Sequence, residues 1–528
     1  MPKIREILNH KSYIVIFLIF SALLLNFRAN LDKNHIFVAS DGQIKFFQSI
    51  QISTNKNLSV DCFYPGKDLD PSFSYYPIRY PWTIIDSKKN SCIFEYPPFF
   101  PAIASLFSWN ENYKLLMYVP LLFYILSFIF FYLSLSNFSK NSFLNSLLSL
   151  FFFYSFPLLT SMDFSESPLY HLCTIISIFY ISSKDQIGNV QYFIFGILLG
   201  IAIFFRIEIL IPAFFISISI FLTKNNIKER IQYSFIFGIG FLITISLFFL
   251  YNYLISGHIL GYRYISSLLE NRIVSPSFSF KLKLLKAYLF GDKLMVGIFQ
   301  FYPMLMILIP FSVYLIIKEK LSKIEFIFIT SGFLSLVIIP ISVNFYGGVG
   351  YFGLRYLETA FLFILFGYSL LITRNYHNFK KYYQVLIFSV LFGSMYWSHL
   401  STKEGLKVLK NSAKEFSLLQ DILSEKENIV IHTSLYTSIF IGPSFIENPH
   451  FHIPDESGVN KFLTEVQSKT KKFILLLPPK DMYISSDIPE SLFNNYKTNV
   501  DPKNLNLKIE KSTVLNGVNI VVAKFLEK

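Results

Sequence analysis

Long apolar runs separated by short polar turns set the plan of this chain. The runs are rich in Phe, Ile and Leu, and their lengths approach the ~20 residues an α-helix needs to cross a hydrocarbon core. They predict eleven spans, at about 12–28, 113–135, 142–160, 167–182, 190–205, 207–223, 232–254, 298–318, 324–343, 356–373 and 381–398. The fifth and sixth are separated only by Arg206. Read as one helix they would be about 50 Å long at about 1.5 Å per residue, too long for a core of about 30 Å. Arg206 and Glu208 would then sit mid-membrane, where charge is costly. Two spans joined by a tight outward turn are therefore expected.

Two stretches break the pattern. A polar loop, about 29–112, follows the first span, opening with Asp41-Gly42 and closing with Glu95-Tyr96-Pro97-Pro98-Phe99-Phe100-Pro101. After Ser398 the chain turns polar and mixed in charge. There Leu406 to Leu423 has helical spacing, Asn428 to His432 and Lys472 to Leu477 read as buried strands, and Asn516-Gly517 suits a type I′ hairpin turn. The expected fold class is a polytopic α-helical membrane protein: a transmembrane domain over 1–402 and a small extracytoplasmic α/β domain over 403–528.

Composition agrees. Charged residues make up 15% of the chain and hydrophobic ones 53%, whereas soluble domains carry about 25% charged residues. The net charge of +13 resides between spans and sets orientation rather than nucleic-acid binding. No basic stripe is interleaved with stacking aromatics. Lys3, Arg5 and Lys11 precede the first run, which lacks a small-residue cleavage site, so it reads as an uncleaved span with a cytoplasmic N-terminus. Alternation then puts Lys140, Lys184, Lys224, Lys228, Arg230, Lys318, Lys320, Lys323, Arg374, Lys380 and Lys381 inside, and the C-terminal domain outside the inner (plasma) membrane. One outer loop, 255–297, is basic against this rule, and Phe278 to Leu289 reads as a surface helix within it.

Candidate chemistry falls on the outer side. Asp41 heads the run Ile44, Phe47, Ile50 and Ile52; it suits either a helix cap or a general base at an interfacial helix. Asp163 and Glu166 share a short turn, as a polar turn with a cap or as a site for an acceptor or a divalent metal. Arg206 either grips phosphate with its fork or pairs locally with Glu208 or snorkels, and Arg355 either presents its fork at the membrane face or ends a plain connecting loop. Cys62 and Cys92 share the first loop, where a disulfide is chemically open to them. Cys173 reads as packing within a span, and His35, His171 and His258 as structural residues. No Walker A loop, zinc spacing or nucleophile elbow occurs.

Four segments together resemble the GT-C glycosyltransferases, of the aminoarabinose transferase and protein O-mannosyltransferase type. They are Asp41-Gly42, the Tyr96-Pro97-Pro98 segment, Asn252 through Gly257, Gly261 and Tyr262, and Gly347-Gly348 through Gly353-Leu354-Arg355-Tyr356-Leu357. The resemblance spans about 10–400. Leu354 stands where the family has Pro, and Tyr351-Phe352 where Trp-Ser-Phe is common. The resemblance implies about a dozen helices, an extracytoplasmic site, a polyprenyl-phosphate sugar donor and Asp41 as base. Arg206, Arg355 and Arg263 would hold the donor phosphate. Asp163, Glu166, Glu95, Tyr96 and Tyr262 would position the acceptor, an envelope lipid, glycan or protein. No cofactor is required, and a metal at Asp163 and Glu166 is optional. The rival readings are a polysaccharide polymerase or ligase, which would carry its large loop late, and a lipid flippase or transporter, which would show matched inverted halves.

Overall fold

The protein is described from a computed structural model. It describes residues 11–525 except 32–39, 56–61, 80–81, 87–90, 109–112, 185–186, 224–225, 270–276, 344–350, 352, 379, 426–427, 439, 468–471, 480–497, 506 and 516–517. The chain divides into two compact units: Met1–Phe27, Val119–Tyr251 and Ser275–Lys407 form the first, and Arg28–Tyr118, Asn252–Val274 and Val408–Lys528 the second.

The first unit is a helical bundle built around Glu358–Asn375. Every residue from Tyr356 to Leu370 is buried, as a helix apolar on all sides should be. Its neighbours include Val119–Ser136, Ser142–Phe153 and Lys323–Ser342. Among the described residues four helices are long and apolar enough to cross a membrane: Leu115–Ser136, Ile227–Ser256, Lys323–Ser342 and Lys381–Leu423. Six shorter apolar helices accompany them, including Ser167–Ser182, Asn189–Phe204 and Ile207–Leu222. The chain is thus a multi-pass membrane protein. Close backbone approach fixes one crossing: a Cβ on Gly196 would lie 2.2 Å from the Phe237 carbonyl oxygen, and one on Gly240 2.2 Å from that of Phe193. Small residues permit this contact where lipid offers no hydrophobic drive between helices.

Several spans are interrupted where the sequence reading had them whole. The 142–160 run is two helices, Ser142–Phe153 and Phe156–Ser161, with Pro157 at the start of the second; proline cannot supply the amide an unbroken helix needs there. The 298–318 run breaks between Phe301 and Leu305, around Pro303. Conversely, the last span does not stop at 398. Lys381–Leu423 is one helix of 43 residues, since no proline interrupts it and its Lys, Glu and Leu residues favour helix. At Gly405 it passes so close to the bundle that a Cβ would meet Leu159 Cδ1 at 2.6 Å.

The second unit contains a five-stranded mixed sheet. β1 (Thr83–Asp86) and β2 (Ser91–Phe94) form a separate antiparallel pair earlier in the chain. β3 (Ile429–His432), β4 (His450–His452), β5 (Lys472–Leu477), β6 (Leu507–Leu515) and β7 (Val518–Phe525) lie in the order β4-β3-β5-β7-β6. β3 runs parallel to β4 and β5, and β7 antiparallel to β5 and β6. Leu515 pairs with Val518; the Asn516-Gly517 turn lies outside the described residues. Leu419 and Leu423 pack with Val430, Ile474, Leu476, Val518 and Ile520 in the core.

The first-loop segment belongs to this unit. Gln43 Oε1 accepts the Gly442 amide at 3.0 Å, and the Tyr75 carbonyl accepts the His452 amide at 2.8 Å. Phe47 meets Phe445 edge-on with ring centroids 5.2 Å apart. The helix Ser40–Asn55 is embedded in the unit. Its polar Gln43, Lys45, Gln48, Ser49 and Gln51 are buried along with Ile44, Phe47, Ile50 and Ile52.

Candidate active site

The sequence-predicted residues fall into two groups, one in each unit. In the second unit, Asp41 occupies the first turn of Ser40–Asn55, and Glu95-Tyr96 follows β2. Lys45 lies one helical turn beyond Asp41, on the same face. Its Nζ stands 4.5 Å from the Tyr96 ring centroid, and the Arg263 guanidinium stands 5.5 Å from it. Arg263 Nε is 3.6 Å from Glu95 Oε1. Gln48 Nε2 donates to the Tyr96 carbonyl at 3.2 Å. The buried Tyr96 hydroxyl hydrogen-bonds Asp41, and its pKa is pushed well above the ordinary value, first by burial, then by the Asp41 and Glu95 charges, against a lowering by Arg263. Tyr96 is therefore a permanent donor to Asp41.

Arg263 and Tyr262 arrive on a segment shaped by two glycines. Gly257 (φ +73°) and Gly261 (φ +76°) take left-handed conformations that side-chain-bearing residues rarely adopt. Between them the chain folds back so that Asn252 Nδ2 donates to the Ile259 carbonyl at 3.2 Å. Tyr262, buried at 4% exposure, then starts the helix Gly261–Leu269. Cys62 and Cys92 are joined by a disulfide across 30 residues, Cα atoms 5.0 Å apart.

In the first unit the chain leaves helix at Arg206, whose backbone is extended between Ile201–Phe204 and Ile207–Ile209. The break turns the Arg206 side chain into a polar nest. Nη2 lies 3.1 Å from Glu208 Oε1, Nη1 lies 3.7 Å from Glu166 Oε1, and Nη1 donates to Ser167 Oγ at 3.2 Å. Arg206 and Arg355 converge on one ring: their guanidinium carbons lie 5.3 and 5.5 Å from the Tyr356 centroid. Arg355 is close enough to act on the charge of Arg206. Glu166 serves as an ion partner rather than a cap, since it makes no capping hydrogen bond to the helix it precedes. Asp163 Oδ1 accepts the Phe164 amide at 2.9 Å. Among the described residues no three His, Cys, Asp or Glu side chains are grouped to hold a metal ion. Gly347, Gly348, Gly350 and Phe352 lie outside the described residues.

Behind Tyr356 sits a pair the sequence reading missed. Glu358 Oε2 is 3.2 Å from His171 Nε2, with both side chains fully buried, and Glu358 Oε1 accepts from Thr160 Oγ1 at 2.7 Å. The signal was present, since a carboxylate inside the 356–373 run violates hydrocarbon composition. His171 had been read as structural for want of a local partner. Lys45 was likewise hidden, four residues from Asp41 with nothing to mark its target.

No family model matches this chain, and no curated protein sequence does. Solved structures do. ArnT from Cupriavidus metallidurans in the apo state superposes with a TM-score of 0.51 at 10% identity, covering 97% of this chain and 98% of ArnT. The archaeal oligosaccharyltransferase AglB from Archaeoglobus fulgidus, in complex with an inhibitory peptide and a dolichol-phosphate, gives 0.51 at 11% identity over 88% of this chain and 69% of AglB. The apo form of the Archaeoglobus oligosaccharyltransferase gives 0.51 at 10% identity over 88% and 70%. This chain therefore shares the fold of ArnT and of the archaeal oligosaccharyltransferase.

Proposed function

We propose that the protein is an inverting glycosyltransferase that moves a sugar from a polyprenyl-phosphate donor to an envelope acceptor at the outer face of the plasma membrane. The observation that carries the reading is Asp41 held by Tyr96, on a chain that shares the fold of ArnT from end to end. Tyr96 cannot itself take a proton at working pH, because it keeps its own. It donates to Asp41 and so orients the carboxylate that would meet an incoming hydroxyl or amine. Asp41 accepts the acceptor's proton as the acceptor oxygen or nitrogen bonds to sugar C1. The bond from C1 to the phosphate oxygen breaks on the opposite side, inverting the anomeric centre. The leaving group is already an anion, so it asks for cations rather than a strong acid. Arg206 and Arg355, two like charges gathered on Tyr356, supply such a site, since guanidinium meets phosphate with paired hydrogen bonds. Arg263 belongs to the other group, where its partner is Glu95, so on this reading it steadies the Asp41 group. AglB was solved with a dolichol-phosphate, which supports a lipid-phosphate donor here. The reading is tested by supplying the purified full-length protein with a labelled polyprenyl-phosphate sugar. Release of polyprenyl phosphate coupled to label transfer supports it; intact donor moved between leaflets would favour a flippase. Mass spectrometry of envelope glycolipids with and without the gene would identify the acceptor.

A further inference from the structure

A second polar site lies in the first unit, at the helix ends remote from Arg206. Ser167, which touches Arg206, starts the helix that ends at Ser182, about 22 Å away at about 1.5 Å per residue. Glu358 and Arg374 stand about 24 Å apart along another helix by the same measure. At these far ends is a cavity of about 590 Å³, lined by Lys184, Lys323 and Arg374 and by apolar Phe195 and Leu370. Among the described lining residues Glu325 is the single carboxylate. It is already engaged: Oε2 lies 2.9 Å from Arg374 Nη2 and accepts the Ser322 amide at 2.8 Å. Three cations thus face one neutralised anion, leaving a net positive chamber. Phe138, also in the lining, is 38% exposed, so the chamber has an apolar margin on the bundle surface.

We propose that this cavity binds the phosphate headgroup of an anionic phospholipid. Lys184 and Lys323, both exposed, would meet the phosphate as point charges. The acyl chains would follow the apolar wall. Basic pockets between membrane helices take anionic headgroups in this way. The neighbouring cations Lys140, Lys318, Lys320 and Lys381 mark the same helix ends as the inward, anionic-leaflet side under the positive-inside pattern. The proposal is independent of the glycosyl-transfer reading, because it concerns the opposite ends of the helices.

The test is thermal unfolding of the purified full-length protein in detergent with added phosphatidylglycerol, phosphatidylcholine, glycerol 3-phosphate or inorganic phosphate. Phosphatidylglycerol should raise the midpoint and phosphatidylcholine should not. In the K184Q/K323Q variant the apparent affinity for phosphatidylglycerol should fall about tenfold or more, given roughly 1 kcal/mol per cation. The lipid-free midpoint should stay at the parent value, and K184R/K323R should restore binding. If the double variant misfolds, native mass spectrometry of bound lipid on each single variant gives the same comparison. Unchanged phosphatidylglycerol binding in the variants, or an equal shift with phosphatidylcholine, would overturn the site. An equal shift from glycerol 3-phosphate or inorganic phosphate at matched concentration would overturn the lipid assignment.

Discussion

Removing the Glu358 carboxylate should be the most damaging single polar change in the helical unit. Glu358 Oε1 accepts from Thr160 Oγ1 at 2.7 Å, and its Oε2 faces His171 Nε2 at 3.2 Å. Neither partner has water to turn to, since His171 and Glu358 are fully buried and Thr160 is 7% exposed. In Glu358→Ala Thr160 Oγ1 keeps its bond to the Pro157 carbonyl at 3.0 Å, whereas buried His171 loses the carboxylate against it, at about 1–3 kcal/mol, and the truncation leaves a void. The loss should be about 2–5 kcal/mol, the range of large-to-small changes at buried sites. Glu358→Gln keeps an oxygen for Thr160 Oγ1 and the volume of the side chain, and changes only the group facing His171, so its loss should be about half or less. The assay is thermal unfolding of both variants in one detergent, with circular dichroism to confirm helix content. Equal midpoints for the alanine and glutamine variants would refute the reasoning, because the pair would then contribute nothing that a neutral or absent side chain lacks. A second consequence is local. Glu358 lies two residues beyond Tyr356, the ring on which Arg206 and Arg355 converge, so Glu358→Gln should weaken donor binding more than it slows bound donor.

Other expectations follow from the same geometry. His432, His450 and His452 share one face of the sheet, with His432 Nε2 2.9 Å from His450 Nδ1; burial holds His432 down to about 3 and His452 to about 4, and His450 well below its usual value. The unfolded chain, with histidine near pH ~6.5, therefore binds more protons below that value, and stability present above pH ~6.5 should fall as pH drops toward 4. Hydrogen exchange of β3 and β4 between pH 7.5 and 5 checks this, and His452→Gln should flatten the slope. Gly240→Ala should destabilise by about 1–3 kcal/mol through overpacking, whereas Gly238→Ala, where a Cβ meets nothing within 4 Å, should be neutral or mildly stabilising. Reducing the Cys62–Cys92 bridge should lower the second unit's stability by about 2–4 kcal/mol, read by proteolysis with and without reductant.

Helices were legible because hydrophobic runs are a local signal. Ser167–Ser182 and Lys323–Ser342 begin and end within a residue or so of their apolar runs. Breaks were less legible, since Pro157 and Pro303 sit within otherwise continuous apolar stretches. The second unit shows why composition alone misplaces neighbours. Gln43 and Gly442 are 399 residues apart and hydrogen-bonded, and nothing in either local pattern points to the other. Asp41, Glu95, Tyr96, Arg206 and Arg355 stood out in the sequence because each is a polar group where the pattern makes polarity expensive or because a motif marks it. Lys45 escaped because a lysine in a mixed helix looks like solvent-facing charge. His171 and Glu358 each looked isolated, and only tertiary contact makes them a pair.

The central claim is that Asp41 takes a proton while Arg206 and Arg355 hold the lipid phosphate. Single-turnover transfer from a labelled polyprenyl-phosphate sugar, measured beside donor binding in Asp41→Asn and Arg355→Lys, tests it most directly. Asp41→Asn should bind donor and turn over about 10²–10⁴ times more slowly, the usual share of general base catalysis. Arg355→Lys keeps the charge and loses the fork, so it should bind donor weakly. Full activity in a folded Asp41→Asn variant, with Asp163→Asn inactive, would contradict the account and move the base to the turn between Ser161 and Ser167.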